Sequence, residues 1–415
     1  VASPNGKLNV AAIGSGGKGR TDIQGCKSEN IVALCDVDWV RAARAFSQYP
    51  KATRYKDFRE MLEKEQIDAV TVSTPDHTHA VAAMAAMSIG IHVYVQKPLT
   101  YTIAEARLLA ASARKFGVKT QMGNQAHCHE GVRKLCELIW NGDIGQVHEA
   151  HIWTNRPKWP QGIDRPKETP PIPRNLDWNL WLSAAPDRPY NPAYLPSDWR
   201  GWLDFGCGAL GDMACHIADP ANWALRLHET GPISAEALLN EGMTSETFPR
   251  RTRIRFDFPA RGDMDPVAVY WYDGGARPSI IDGIPEGVRL GDGKNGSVFI
   301  GTKGIATAGE YGGRPRLLAG DRVAGYKFPD ETVARIPDEN PYIDWIGAIK
   351  NDGQACSNFD YSGPFTEWVA IGNLCLRHEG KIEWDAKNMR VTNNEKANYD
   401  VTREYRDGWD PAQYA

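Results

Sequence analysis

Leu8-Asn9-Val10-Ala11-Ala12-Ile13-Gly14-Ser15-Gly16-Gly17-Lys18-Gly19 is the stretch whose reading settles the architecture of this chain. A short apolar run stops on glycines that fit G-x-G-x-x-G, and a helical pattern opens behind them. A chain with 40 glycines produces such matches by chance, so the context carries the weight. A second apolar run, residues 30–35, ends on Asp36, 22 residues after Gly14. Strand, glycine turn, helix, strand and acid in that order form a dinucleotide fingerprint. Gly14 permits the tight turn, Gly16 lets backbone approach a pyrophosphate, and Gly19 lets the helix pack on the sheet. Ser15, Gly17 and Arg20 complete the loop, where the helix N-terminus offers free N–H groups to phosphates. Asp36 can accept from the adenosine ribose hydroxyls, and its charge repels a 2′-phosphate. NAD is therefore the expected cofactor, with NADP kept open by Arg41 and Arg44.

Outward from this stretch the alternation continues. Apolar runs at 68–73, 91–95 and 118–121 are separated by helical patterns at 57–64, 79–89 and 103–116. Continuous apolar strands alternating with helices predict a doubly wound parallel sheet covered on both faces, over residues 1–125. Beyond it the rhythm changes. A helix near 131–140 and a strand near 148–153 precede an irregular stretch, 156–200, holding ten of the 27 prolines. A helical pattern over 210–225 is followed by strand-like runs at 232–239, 251–258, 267–272, 297–300 and 305–308. Helices return at 342–350 and 366–377. Residues 126–415 therefore read as an α+β domain on a mostly antiparallel open sheet.

Composition removes several functions. The 415 residues carry 48 Lys plus Arg against 52 Asp plus Glu, a net charge of -4, so no basic surplus exists for nucleic acid. No apolar run approaches the roughly 18–20 residues of a membrane span. The eight cysteines contain no C-x-x-C; Cys128 and Cys136, about 12 Å apart along a helix, cannot pair, and buried free thiols are expected. The chain opens Val1-Ala2-Ser3 rather than on methionine, which raises the expectation of a removed leader and a periplasmic or secreted site, a cytoplasmic one being the alternative.

Two further motifs reach the same crevice, at the carboxyl edge of the sheet where open α/β sheets bind ligands. Ser73-Thr74-Pro75-Asp76-His77-Thr78-His79 ends the third run and Gln96-Lys97-Pro98 the fourth; Asn124 lies after the fifth. Ser73, Thr74, Pro75, His77, His79, Gln96, Lys97 and Asn124 join the cofactor-binding candidates. With Ala11-Ala12-Ile13-Gly14-Ser15-Gly16, Asp36-Val37-Asp38 and Gly208-Ala209-Leu210-Gly211-Asp212-Met213-Ala214-Cys215-His216-Ile217-Ala218-Asp219, these motifs resemble the Gfo/Idh/MocA oxidoreductases. That family includes glucose–fructose oxidoreductase and inositol dehydrogenase. The resemblance spans both domains and implies a Rossmann domain followed by an α/β domain whose open sheet often mediates oligomers; a homo-oligomer, dimer or tetramer, is expected. Gln96 departs from the pattern, many relatives having glutamate before the lysine.

Asp212 and His216 lie four apart on a helical pattern and share a face, with Asp219 continuing the stripe. Alcohol oxidation needs a hydride acceptor and a base for the hydroxyl proton. His216 suits the base, Lys97 can donate to the same oxygen, and Asp212 can accept from and orient a substrate hydroxyl. The resemblance implies the same three roles. A bland i,i+4 pair is the alternative for Asp212 and His216. His77-x-His79 and His127-x-His129-Glu130 invite a metal, but neither supplies three clear ligands and H-x-H splays by about 200° on a helix, so no metal is expected. His127 and His129 are instead candidates for substrate contact.

Tryptophan is the compositional oddity: 14 residues, seven of them from Trp153 to Trp223. A proline-stiffened, aromatic stretch before the Asp212 helix suits the wall of a cleft, and indole faces stack on pyranose rings. Trp159, Tyr190, Trp199, Arg200 and Asp219 complete the substrate candidates. The expected activity is NAD-dependent oxidation of a ring hydroxyl, at C3, of a sugar or glycoside. An NAD-retaining glycosidase or lyase working through transient oxidation is the alternative, and a non-catalytic NAD-bound sensor the second.

Overall fold

In a computed structural model of the chain, residues 6–278, 281–284, 287–320 and 323–415 are described; Val1-Ala2-Ser3 lies outside them. Strands β1 (Asn9–Ile13), β2 (Asn30–Cys35), β3 (Thr53–Tyr55), β4 (Ala69–Val72), β5 (His92–Val95) and β6 (Thr120–Met122) form one parallel sheet. Their order is β3-β2-β1-β4-β5-β6, with the reversal at β1/β4 that opens a ligand crevice above the strand ends. β3 is absent from the sequence reading because it has three residues, two of them exposed, and no apolar run.

Alternate side chains on each strand serve opposite faces. Ala11, Ile13, Ala33, Val70, Val72, Val93 and Val95 bury against α3 (Phe58–Lys64), α4 (His79–Met87) and α5 (Ile103–Phe116). Helix α5 starts on a Thr102/Glu105 capping box and ends on Gly117 at φ 65°. The other face carries Val10, Ala12, Leu34, Ala69 and Tyr94, under α1 (Lys18–Gly25), α2 (Trp39–Gln48) and α10 (Pro341–Lys350). Tyr94 stacks on Tyr342 at 5.1 Å, and Trp345 packs edge-on at 5.6 Å. A helix from far along the chain thus completes the cover of the parallel sheet.

The second sheet contains β7 (Val147–Trp153), β8 (Ser234–Glu241), β9 (Arg251–Phe258), β10 (Val267–Tyr272), β11 (Gly296–Gly301), β12 (Gly304–Ala308), β13 (Arg316–Gly320), β14 (Lys381–Asp385) and β15 (Arg390–Val391). Their order is β13-β12-β11-β7-β10-β9-β8-β14-β15, antiparallel except for β7 against β10. On β9, Thr252, Ile254, Phe256 and Phe258 point inward while Arg251 and Arg253 are exposed. The buried face packs on α11 (Phe359–Arg377), whose Gly372 leaves no room for a Cβ beside Phe256. Among the described residues no helix is long and apolar enough to cross a membrane.

The continuous helix expected over 210–225 is two. α8 (Gly208–Ile217) stops, and α9 (Asp219–Ala224) carries Pro220 in its first turn, with no N–H to extend the first ladder. Asp219 therefore leaves the Asp212/His216 stripe. Between β7 and α8, residues 154–207 form an excursion with its own small core of Trp178, Trp181, Tyr194, Trp202 and Phe205.

Candidate active site

The crevice above β1, β2, β4 and β5 is a cleft of about 330 Å³, within the size range of small-molecule sites. Its first wall is the glycine loop. Gly14 has φ 82°, and a Cβ there would stand 2.7 Å from the Ser73 carbonyl. A Cβ on Gly19 would meet the Gly14 carbonyl at 1.8 Å, so helix α1 sits as close to the turn as backbone permits. Asp36 holds this loop in shape: Oδ2 accepts from the Ser15 and Gly16 amides and Oδ1 from Asp38, each at 2.9 Å. The carboxylate still lines the cleft. Arg41 packs over Gly16 and Gly17 and lines the cleft with Lys56, the positive counterpart of Asp36. Thr74 Oγ1 is buried without a hydrogen-bond partner among the described residues. Close-packed glycines, a helix N-terminus, an acid at the end of β2 and an unsatisfied hydroxyl fit a dinucleotide.

The floor carries the chemistry. Lys97, at the end of β5, donates from Nζ to Asp212 Oδ1 at 2.6 Å and to the Asp212 carbonyl at 2.8 Å. Arg200 Nε reaches the same Oδ1 at 2.9 Å. Burial alone would raise the Asp212 carboxyl, but the Lys97 and Arg200 charges outweigh it and hold the group well below the carboxylate range. Asp212 stands behind the cleft lining and anchors two cations, Lys97 and Arg200. It makes no hydrogen bond to His216. The His216 ring lines the cleft, its Nδ1 buried without a partner among the described residues. Burial first, then the Lys97 charge, drives the imidazole well below its usual pKa, so it is neutral and can accept a proton. Tyr311 packs edge-on to His216 at 4.9 Å.

Asp76, quoted above within its motif but assigned no role, lines the floor beside this cluster. Burial raises its carboxyl to about 7 against the opposing charges of Arg200 and Lys97, and Oδ2 accepts the Cys207 amide at 3.0 Å. Gln96 explains its own departure from the glutamate pattern. Its Nε2 donates to both oxygens of the buried Asp22, at 3.1 and 3.0 Å, and Ser73 Oγ reaches the same carboxylate at 2.6 Å. A glutamate at 96 would set two carboxylates face to face.

Other candidates stand elsewhere. Ser15 is buried, its Oγ donating to the Cys35 carbonyl, and Arg20 is exposed outside the cleft lining. His77, on a short 3-10 segment, and His79, the first residue of α4, turn inward. The His77 ring lies between the Phe205 and Trp181 carbonyls, and that of His79 between those of Pro98 and Thr74. Burial lowers them to about 3 and about 4, so each is neutral and staples backbone segments. Asn124 is buried with Oδ1 on Ser357 Oγ, and its neighbour Gln125 reaches the cleft instead.

His127 and Asp219 are brought together behind the cleft. Nδ1 of the histidine lies 2.9 Å from Asp219 Oδ2, Tyr361 donates to Oδ1 at 2.7 Å, and Trp223 stacks on the ring at 4.3 Å. They form a buried polar knot, outside the cleft lining. His129 is half-buried beside Tyr311 and also outside the lining.

The roof is the excursion. Trp199 lines the cleft, with the Arg200 guanidinium 4.3 Å over its ring and 5.7 Å over that of Trp159, which does not line it. Tyr190 packs behind, edge-on to Trp178. Leu176 pairs with Asp38 in an isolated antiparallel bridge, and the Asp177 amide donates to the Val37 carbonyl at 2.9 Å. Leu180 and Trp181 of α7 (Trp178–Leu182) thereby overhang the Asp36 side. Trp409, under an Arg59 guanidinium at 4.3 Å, adds a further wall. These residues lay beyond sequence reasoning because no local pattern couples position 38 to 176 or 58 to 409.

A family model described as "Oxidoreductase family, NAD-binding Rossmann fold" matches residues 8–124, and one described as "Oxidoreductase family, C-terminal alpha/beta domain" matches 148–258. The inositol 2-dehydrogenase of Salmonella typhimurium is 29% identical over 126 residues, 29% of this chain and 38% of that protein. The D-apiose dehydrogenase of Paraburkholderia graminis is 30% identical over 124 residues, 30% of this chain and 32% of that protein. The chain thus matches well under half the length of these relatives. Among solved structures, the WlbA dehydrogenase from Bordetella pertussis, in complex with NADH and UDP-GlcNAcA, superposes with a TM-score of 0.62 at 15% identity. That alignment covers 91% of this chain and 99% of the other, and it concerns the fold.

Proposed function

The chain belongs to the Gfo/Idh/MocA oxidoreductase family, and from that premise we propose that it oxidises a secondary ring hydroxyl of a sugar or glycoside with NAD. The observation that carries this reading is Lys97 Nζ held 2.6 Å from Asp212 Oδ1 beside the neutral His216, on the floor of a cleft that opens at the glycine loop. Bound NAD supplies the acceptor for the hydride that leaves carbon. His216 takes the hydroxyl proton, being uncharged at working pH. Lys97 donates to the same oxygen as charge develops on it. Asp212 holds the ammonium in place through its carboxylate and carbonyl, and Arg200 shares the same carboxylate oxygen. Trp199 and Trp181 line the cleft above, which supports a ring substrate, as does the similarity to the inositol and apiose dehydrogenases.

Asp76 supports a second reading. A carboxyl near neutrality on the same floor is a further proton-holding group, as redox-assisted cleavage of a glycosidic bond would need. Incubation with aryl glycosides and free sugars, with and without added NAD, separates the two. NADH accumulation at 340 nm marks the dehydrogenase, and aglycone release without net NADH marks the cleaving enzyme. Bound NAD without turnover of any sugar would overturn both.

A further inference from the structure

Outside the cleft, two cysteines far apart in sequence meet. Cys128 closes the 3-10 turn that follows β6, and Cys356 lies in the loop between α10 and α11; their Sγ atoms are 3.5 Å apart. The backbone on both sides is already registered. The Met122 amide donates to the Ser357 carbonyl at 2.9 Å, the Ser357 amide to Gln121 Oε1 at 2.9 Å, and the Phe359 amide to Thr120 Oγ1 at 3.0 Å. Asp344 Oδ2 of α10 accepts the Cys356 amide at 2.8 Å and Gln121 Nε2 at 3.2 Å. The loop therefore lies along β6, and the two thiols meet across it in hydrogen-bonding contact.

We propose that Cys128 and Cys356 form a reversible disulfide that locks the α10–α11 loop to the edge strand of the dinucleotide-binding sheet. Cys356 is the one cysteine that is not fully buried, so it is the entry sulfur. With oxidised glutathione as oxidant, the Cys356 thiolate attacks one glutathione sulfur and the other leaves as a thiol. The Cys128 thiolate then attacks Cys356 Sγ and expels the second glutathione. Two protein thiols lose two electrons and two protons, and one glutathione disulfide becomes two thiols. The hydrogen bond shared with Cys128 Sγ and then burial hold the Cys356 thiol well above its usual range, so bridging quickens with rising pH. Gln125, on the turn that Cys128 closes, lines the cleft, so the bridge also stiffens part of the site.

The competing chemistry is metal capture, because Cys128, Cys356 and Asp344 place their ligand atoms within 4.8 Å of one another. The bridge is favoured because Asp344 Oδ2 already accepts two N–H groups, and no fourth side chain joins this group among the described residues. The test equilibrates the whole protein in oxidised glutathione with a chelator, quenches with acid, and alkylates in denaturant. Six of the eight cysteines should alkylate, with intact mass before alkylation lower by about 2 Da than that of the reduced protein and a Cys128–Cys356 linked peptide on digestion. Cys356→Ser should alkylate at all seven remaining thiols under either redox condition; peptide mapping of the wild type decides the matter should that variant not fold. Eight alkylated thiols, glutathione adducts alone, or a bridge between other cysteines would overturn the proposal. So would protection of this pair by Zn²⁺ alone in a parallel sample without chelator.

Discussion

The floor of the cleft is laid by the ends of β1, β2, β4 and β5, with α8 alongside, and each functional side chain there is fixed by a regular element a few residues away. The roof, residues 154–207, contains one five-residue helix, two short 3-10 segments and otherwise turns and extended chain. It is held by Arg188, whose side chain is 1% exposed and pairs with Asp204 at 2.7 Å and Glu246 at 2.8 Å. The guanidinium also lies 4.7 Å over Tyr194 and 5.5 Å over Trp202. Backbone hydrogen bonding organises the floor, and one buried cation among aromatic rings organises the roof. Chemistry is therefore expected to reside in the first and recognition in the second.

Lys97→Ala should give the largest effect if that division holds. It should lower kcat by roughly 10³-fold while NAD affinity, read by fluorescence titration, stays within about threefold. An equal loss in NAD binding would collapse the distinction between chemistry and cofactor on the floor. Arg188→Met tests the other side. Leaving Asp204 without this partner, and Glu246 with Arg165 alone, should cost about 3 kcal/mol, the low end for a buried pair because both acids are partly solvated. Denaturant unfolding measures it, and NAD affinity should change less than substrate KM.

Trp199→Ala should raise KM for the sugar about tenfold at nearly constant kcat, since it removes a ring face and the support under Arg200. A fall in kcat alone would move Trp199 from recognition to chemistry. Asp76→Asn is expected to be the smallest. The folded carboxyl titrates near about 7, above its unfolded value, so ionisation favours unfolding and stability falls as pH rises from the unfolded pKa through the folded one. The asparagine variant should therefore melt about 2–4 °C higher than wild type at pH 8 and show little difference near pH 4. A uniform shift at all pH values would assign the effect to packing.

The same contrast explains what the sequence made legible. Gly14, Gly19 and Asp36 were readable because the turn, the helix contact and the acid all lie within one strand–helix–strand unit. Lys97, Asp212 and His216 were readable as chemistry, yet the bond between Lys97 and Asp212 was not, since i,i+4 spacing pointed to an Asp212–His216 pair. His77 and His79 misled because residues at a strand's end can turn inward once a 3-10 segment begins. Asp219 misled because Pro220 ends the ladder that would have carried the stripe. In the roof all four of Trp178, Trp181, Trp199 and Trp202 belong to its own core, and only Trp181 and Trp199 also reach the cleft lining; composition cannot tell which of four similar rings does both.

Helix α10 has one further consequence. The Tyr342 hydroxyl donates to Asp22 at 2.6 Å across 320 residues of chain, and Trp345 and Ile346 cover the sheet beside it. A ribosome making this protein releases the glycine loop long before the helix that seals its far face. Through most of synthesis Val10, Ala69 and Tyr94 wait without that cover, and contacts of such span form slowly. The nascent chain spends that interval with the sticky side of a nearly finished sheet facing the cell, a period in which holding by a chaperone matters more than any single bond in the mature cleft.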